Sequence, residues 1–181
     1  MIRPLLISFV AMAISGPVMV QAEGAETPLP PKQTQTTMTC ESGMIWDEEA
    51  EACVAPKDAR MLDDALYEAV RELAYFGQPE TALKVLDVMG EGNSDRVLTY
   101  RAFASRKAGN DAAAFAFYDA ALAQNPNNLL ARSYLGQAYV VKGDLAAAER
   151  QLREINQRGG AATWPEEALR LAIKNGSSSG Y

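Results

Sequence analysis

The residues whose type and spacing most directly imply chemistry are Cys40 and Cys53, the two cysteines of a 181-residue chain. Twelve residues separate them, unlike the C-x-x-C of dithiol redox catalysts. In an exported chain the pair implies one structural disulfide. Closing a 14-residue loop stabilises by about 3 kcal/mol on a chain-entropy estimate, enough to hold a small hairpin that has almost no core. Trp46 is the natural lid over the sulfurs and Gly43 the tight backbone position. Asp47 to Ala50 reads either as the turn between two short strands or as a helical turn. The chain has no histidine, which removes the commonest general base, the usual serine and cysteine hydrolase pairings and most catalytic zinc and haem ligation. No G-x-S-x-G, glycine-rich phosphate loop or paired-acid constellation takes its place. The expectation is a protein that is not an enzyme and uses no cofactor and no metal.

The redox argument depends on export, and the first residues supply the signal. Nineteen residues from Pro4 to Ala22 carry no charge, follow Arg3, and are interrupted by Ser15-Gly16-Pro17. Small side chains at Val20 and Ala22 suit a signal peptidase, so cleavage is expected after Ala22, with the mature chain periplasmic or secreted and outside the membrane. Beyond the leader, charge divides the chain in two. Residues 23–59 hold two lysines against eight acids, whereas residues 60–181 are nearly balanced. The formal charge of -6, with no clustered basic residues, argues against nucleic acid as a partner.

Residues 23–39 are rich in proline, threonine and glutamine without an aromatic side chain, and are expected to be a disordered tether. From residue 60 onward, similar residues recur in step. Gly77, Gly109 and Gly143 are spaced by 32 and 34 residues, and the same offsets relate Ala82, Ala114 and Ala148; Leu86, Tyr118 and Leu152; and Met89, Ala121 and Ile155. Leu62, Ala65, Leu66, Ala69, Val70 and Leu73 form one apolar helical stripe. Gly77 followed by Gln78-Pro79, Gly109 by Asn110, and Gly143 by Asp144 give helix stops followed by new helix starts. Thr163 and Glu166 have capping-box spacing ahead of the apolar face of Ala168, Leu169, Ala172 and Ile173, so a final helix should run to about Asn175-Gly176.

A glycine turn followed by Ala-x3-large-x2-apolar, together with Leu135-Gly136-x2-Tyr139 and Pro126 at a unit end, resembles the tetratricopeptide repeat. That resemblance implies an all-α fold, a right-handed superhelical stack of three helical hairpins plus a C-terminal capping helix, preceded by the small disulfide-closed loop. The boundaries are a signal peptide at 1–22, the linker at 23–39, the loop at 40–57, a repeat domain at 60–175 and a flexible tail at 176–181. The repeat domain divides into units 63–94, 95–128 and 129–162 and a cap at 163–175. Small residues at Ala102 and Gly136 allow close helix approach. Carried onto this chain, the family's groove positions select Tyr67, Arg71 and Tyr75; Arg96, Thr99, Phe103 and Arg106; and Ser133 and Gln137. This mixture of aromatic and basic groups suits another protein or peptide as partner. The asparagine positions of the carboxylate clamp in chaperone-type members hold Arg71, Phe103 and Gln137, so that mode of recognition is not implied.

Residues 40–54, as C-x2-G-x2-W-D-x5-C-V, resemble the short cysteine loops of peritrophin-type chitin-binding modules and similar loops of bacterial envelope proteins. The resemblance implies an alternative function, carbohydrate contact through Trp46. The primary expectation is an exported, non-catalytic protein-interaction module that binds in the groove during envelope assembly or secretion.

Overall fold

The computed structural model describes residues 30–177. The leader, the start of the linker and residues 178–181 of the tail lie outside the described residues.

The N-terminal region begins with one short helix, α1 (Gln35–Met38), capped by the Thr34 side chain. Ordered chain therefore starts earlier than the expected end of the tether at residue 39. The physical reason is a buried carboxylate. Glu72 accepts from the Thr34 N–H at 2.7 Å and hydroxyl at 2.5 Å, and from the Thr37 N–H at 3.0 Å and hydroxyl at 2.5 Å. Four donors converge on one charged acceptor, and bonds to a charged group are the strong kind. Strands β1 (Ile45–Asp47) and β2 (Ala52–Val54) then pair antiparallel, with Trp46 opposite Cys53. Between them the Asp47 carboxylate accepts from the Glu49 and Ala50 N–H groups, so the acidic run is a turn between strands. Cys40 and Cys53 are disulfide-bonded. The Trp46 N–H donates to the Thr36 hydroxyl at 3.1 Å, tying the hairpin to α1. One turn of 3-10 helix at Pro56–Asp58 leads into the repeats.

The remainder is helical: α2 (Asp63–Tyr75), α3 (Pro79–Val88), α4 (Asp95–Lys107), α5 (Asp111–Gln124), α6 (Leu129–Val141), α7 (Leu145–Gln157) and α8 (Trp164–Asn175). Helices α2 and α3, α4 and α5, and α6 and α7 pack as successive hairpins, and α8 lies against α6 and α7. The repeat columns form the core. Ala82, Ala114 and Ala148 have no exposed surface, Tyr118 and Ile155 are equally enclosed, and Leu86, Met89 and Ala121 are buried. The turns behave as the spacing requires: Gly77, Gly109 and Gly143 have φ of 83°, 84° and 77°, a left-handed conformation that suits glycine. Asn110 and Asp144 accept from the Ala113 and Ala147 N–H groups as N-caps.

Two local expectations differ. Leu62 is the N-cap of α2 and is 82% exposed, and Ala65 is also exposed, so the buried stripe starts at Leu66. Thr163 precedes α8, but its hydroxyl donates to the Gly160 carbonyl at 2.6 Å, leaving the first turn to Pro165 rather than to a capping box. Trp164 is only part-buried. Gly136 performs the packing role expected of it, because a Cβ there would lie 2.6 Å from both Leu169 methyl carbons. Arg132 is buried and donates to the Pro126 carbonyl at 2.9 and 2.7 Å, binding the start of α6 to the loop before it.

Candidate functional site

The first helix of each hairpin, α2, α4 and α6, carries the nine residues selected as groove positions. Their neighbours decide how many can meet a partner. Phe103 is 2% exposed because Tyr75 of α2 and Tyr134 of α6 lie on either side of it, with ring centroids at 6.4 and 4.4 Å. Tyr100 adds edge contacts to Phe103, Tyr134 and Tyr67 at 6.0, 6.0 and 5.3 Å. One aromatic column thus crosses all three repeats. It fills space that the sequence left open as a trough. Burial raises the phenols of Tyr100, Tyr67 and Tyr134, the last two well above the usual range, and pushes Tyr118 up to about 12. All four rings stay neutral, and the Tyr100 and Tyr134 hydroxyls lie 3.4 Å apart.

The polar members are mostly committed to structure. Arg71 is buried and donates to both Glu68 oxygens, at 2.8 and 2.7 Å. Burial works against its charge, but Tyr100 and Glu68 outweigh burial and hold it protonated. Thr99 donates to the Asp95 carbonyl and accepts from Asn128, whose side-chain nitrogen also reaches the Asp95 carboxylate at 2.9 Å. Asn128 in turn caps α6 through Ala131, so Thr99 is part of a clasp between the second and third hairpins. Ser133 and Gln137 are enclosed and paired with each other at 3.3 Å.

Three expected positions reach solvent. Tyr67 is half-buried beneath the Arg96 guanidinium, which lies 4.8 Å from its ring. Arg96 is ion-paired with Asp64 at 2.7 Å and with Glu91. Arg106 stands 5.5 Å from the Phe103 ring, next to the Tyr118 hydroxyl, and has no carboxylate within 4 Å among the described residues. Lys107, which the groove positions did not select, joins it at 5.6 Å from the same ring and is exposed. Partial burial, with Arg106 beside it, lowers the Lys107 ammonium from its ordinary value. Phe76 stands at the rim, 38% exposed and in edge contact with Tyr75 at 5.6 Å. The exposed part of this face is a cationic and aromatic ledge over a packed ring column.

The sequence matches that hairpin geometry where it is most regular. Residues 105–162 match the tetratricopeptide repeat. The match runs from the end of α4 through α5, α6 and α7, about a third of the chain, and the remaining repeat elements stack on it in the same hairpin arrangement. No curated protein and no solved structure matches the chain. Tetratricopeptide repeats typically mediate protein–protein interaction and are generally not enzymes, and the hairpin arrangement of this chain is consistent with that. Among the described residues no group of three or more Cys, Asp or Glu side chains is placed to hold a metal ion, and no helix is long and apolar enough to cross a membrane.

Trp46 lies apart from the face of α2, α4 and α6. It is half-buried, and its indole N–H is enclosed without an acceptor among the described residues. Glu72 was not singled out by the sequence, although it is the anchor of the N-terminal region. Its one sequence signal is an acid on the same side of α2 as Ala65 and Ala69, seven and three residues after them in the chain.

Proposed function

We propose that the chain is an exported protein-interaction module that holds an acidic segment of a partner protein against the face of α2, α4 and α6, in the periplasm or outside the cell, during envelope assembly or secretion. The carrying observation is the pair Arg106 and Lys107 standing over the Phe103 ring. Two cations above an aromatic column give an acidic ligand charge attraction, while Phe76 at the rim supplies apolar contact. Export rests on the uncharged leader from Pro4 to Ala22 and on a disulfide of the kind that persists in oxidising compartments.

Crosslinking in intact cells followed by mass spectrometry tests this reading. Wild type should yield one dominant partner, and an Arg106→Gln/Lys107→Glu variant should lose it at unchanged protein level. The purified chain should begin at Glu23. A partner retained by the variant would remove the ledge from consideration, and a chain still carrying its leader would remove cleavage.

A further inference from the structure

A cleft of about 550 Å³ opens between the disulfide-closed hairpin and α2, away from the ledge. Pro31, Trp46, Met61, Ala65 and Ala69 give it a largely apolar lining. This volume falls within the roughly 300–1,000 Å³ of ordinary ligand sites, room for two or three residues of extended peptide.

Three features specify an occupant. The half-buried Trp46 ring lines the cleft and offers an apolar or cationic side chain an aromatic wall, and its enclosed indole N–H has no acceptor among the described residues. Carboxylates stand in the lining. Glu48 is exposed and has no cation within 4 Å among the described residues, and Glu68 remains 61% exposed beside Arg71. The Arg71 charge is already met by Glu68 at 2.7 Å, and Glu72 is occupied by Thr34 and Thr37, which leaves Lys32 as the opposing charge. The hairpin adds to the acidic character, because residues 40–53 contain Glu41, Asp47, Glu48, Glu49 and Glu51 and no lysine or arginine.

We propose that this cleft is a second peptide site, taking a short basic and apolar segment of a partner protein. An apolar side chain of the segment covers Ala65 and Ala69 beside the Trp46 ring, and its Lys or Arg meets Glu48. The cleft shares no residue with the Arg106 and Lys107 ledge.

The chain has two tryptophans, so a nitrogen-15 correlation spectrum gives one indole signal from Trp46 and one from Trp164 as internal reference. Titration with the acetylated, amidated peptide Leu-Lys-Leu-Arg-Leu should shift the Trp46 signal saturably and leave Trp164 in place. Ala65→Trp, an exposed position that fills the cleft, should weaken binding about tenfold, the loss of a well-packed contact. Glu48→Gln should weaken it about threefold, as for an exposed ion pair. The Trp164 signal reports whether the helical stack of each variant is folded, and the dispersion of the residue 45–54 amides reports whether its hairpin is. The proposal is overturned by an unmoved Trp46 signal, by an equal response to Leu-Glu-Leu-Glu-Leu, or by unchanged affinity in folded Ala65→Trp. A Trp46 shift with chitotetraose and none with the basic peptide would assign the cleft to carbohydrate and overturn it as well.

Discussion

The N-terminal hairpin and the helical stack solve the same problem, holding a surface in a fixed shape, by opposite means. The stack relies on side-chain volume: Phe103 between Tyr75 and Tyr134, and Gly136 admitting Leu169. The hairpin has too few apolar residues for that. It uses a covalent bond, Cys40 to Cys53, and one buried carboxylate, Glu72, that gathers four donors from residues 34 and 37. A packed region fails when a volume changes. A stapled region fails when a bond or an acceptor is lost, and it can fail without the other.

The contrast is testable in descending order of effect. Phe103→Ala should destabilise the stack by about 4 kcal/mol, the loss expected for a large buried ring, and urea unfolding followed by helical circular dichroism measures it; a loss under 1 kcal/mol would mean the column does not hold the repeats together. Replacing both cysteines by serine should remove about 3 kcal/mol from the hairpin alone. Hydrogen exchange should show residues 45–54 losing protection while α4 to α7 keep theirs, and a matching loss in the helices would end the distinction between the regions.

Glu72→Ala should release residues 34–38 at a penalty of about 2 kcal/mol, since bonds to a charged acceptor disappear. Glu72→Gln, which keeps one acceptor oxygen, should lie between it and wild type in the protection of the Thr37 amide. Acid gives the smallest effect. The Ala50 N–H above all, assisted by that of Glu49, holds the Asp47 carboxyl below its ordinary 3.8. A carboxyl lowered by folding contributes stability that is present above its unfolded value and lost as pH falls toward the folded one. The hairpin amides should therefore loosen below about pH 4 before the helices respond, and Asp47→Ala should abolish that early step.

The two regions also differed in how much the sequence disclosed. The stack was legible because its core repeats: Ala82, Ala114 and Ala148 mark the same contact three times, and the glycine turns restart each helix pair. Which residues of the first helices meet solvent was not legible, because exposure is set by neighbouring repeats. Phe103 occupies a groove position by count but is enclosed by rings 28 residues before and 31 after it in the chain. Thr99 was read as a contact residue and is a clasp to Asn128. The cysteine pairing could be read from two residues, while the link from Thr34 to Glu72 joins positions 38 apart without any periodic mark. Leu62 began an apolar stripe on paper, yet it precedes the first turn of α2 and stays in water.

The position of α8 over α6 and α7, with the N-terminal module beside α2 at the opposite end, sets a ruler on this molecule. Among the described residues three hairpins make up the stack, with α8 over the last of them. With neighbouring helices about 10 Å apart, three of them present a track of roughly 30 Å, which an extended strand at about 3.3 Å per residue crosses in some nine residues. Any sequence recognised along that track is a short word, and discrimination beyond that length must come from contacts elsewhere on the chain.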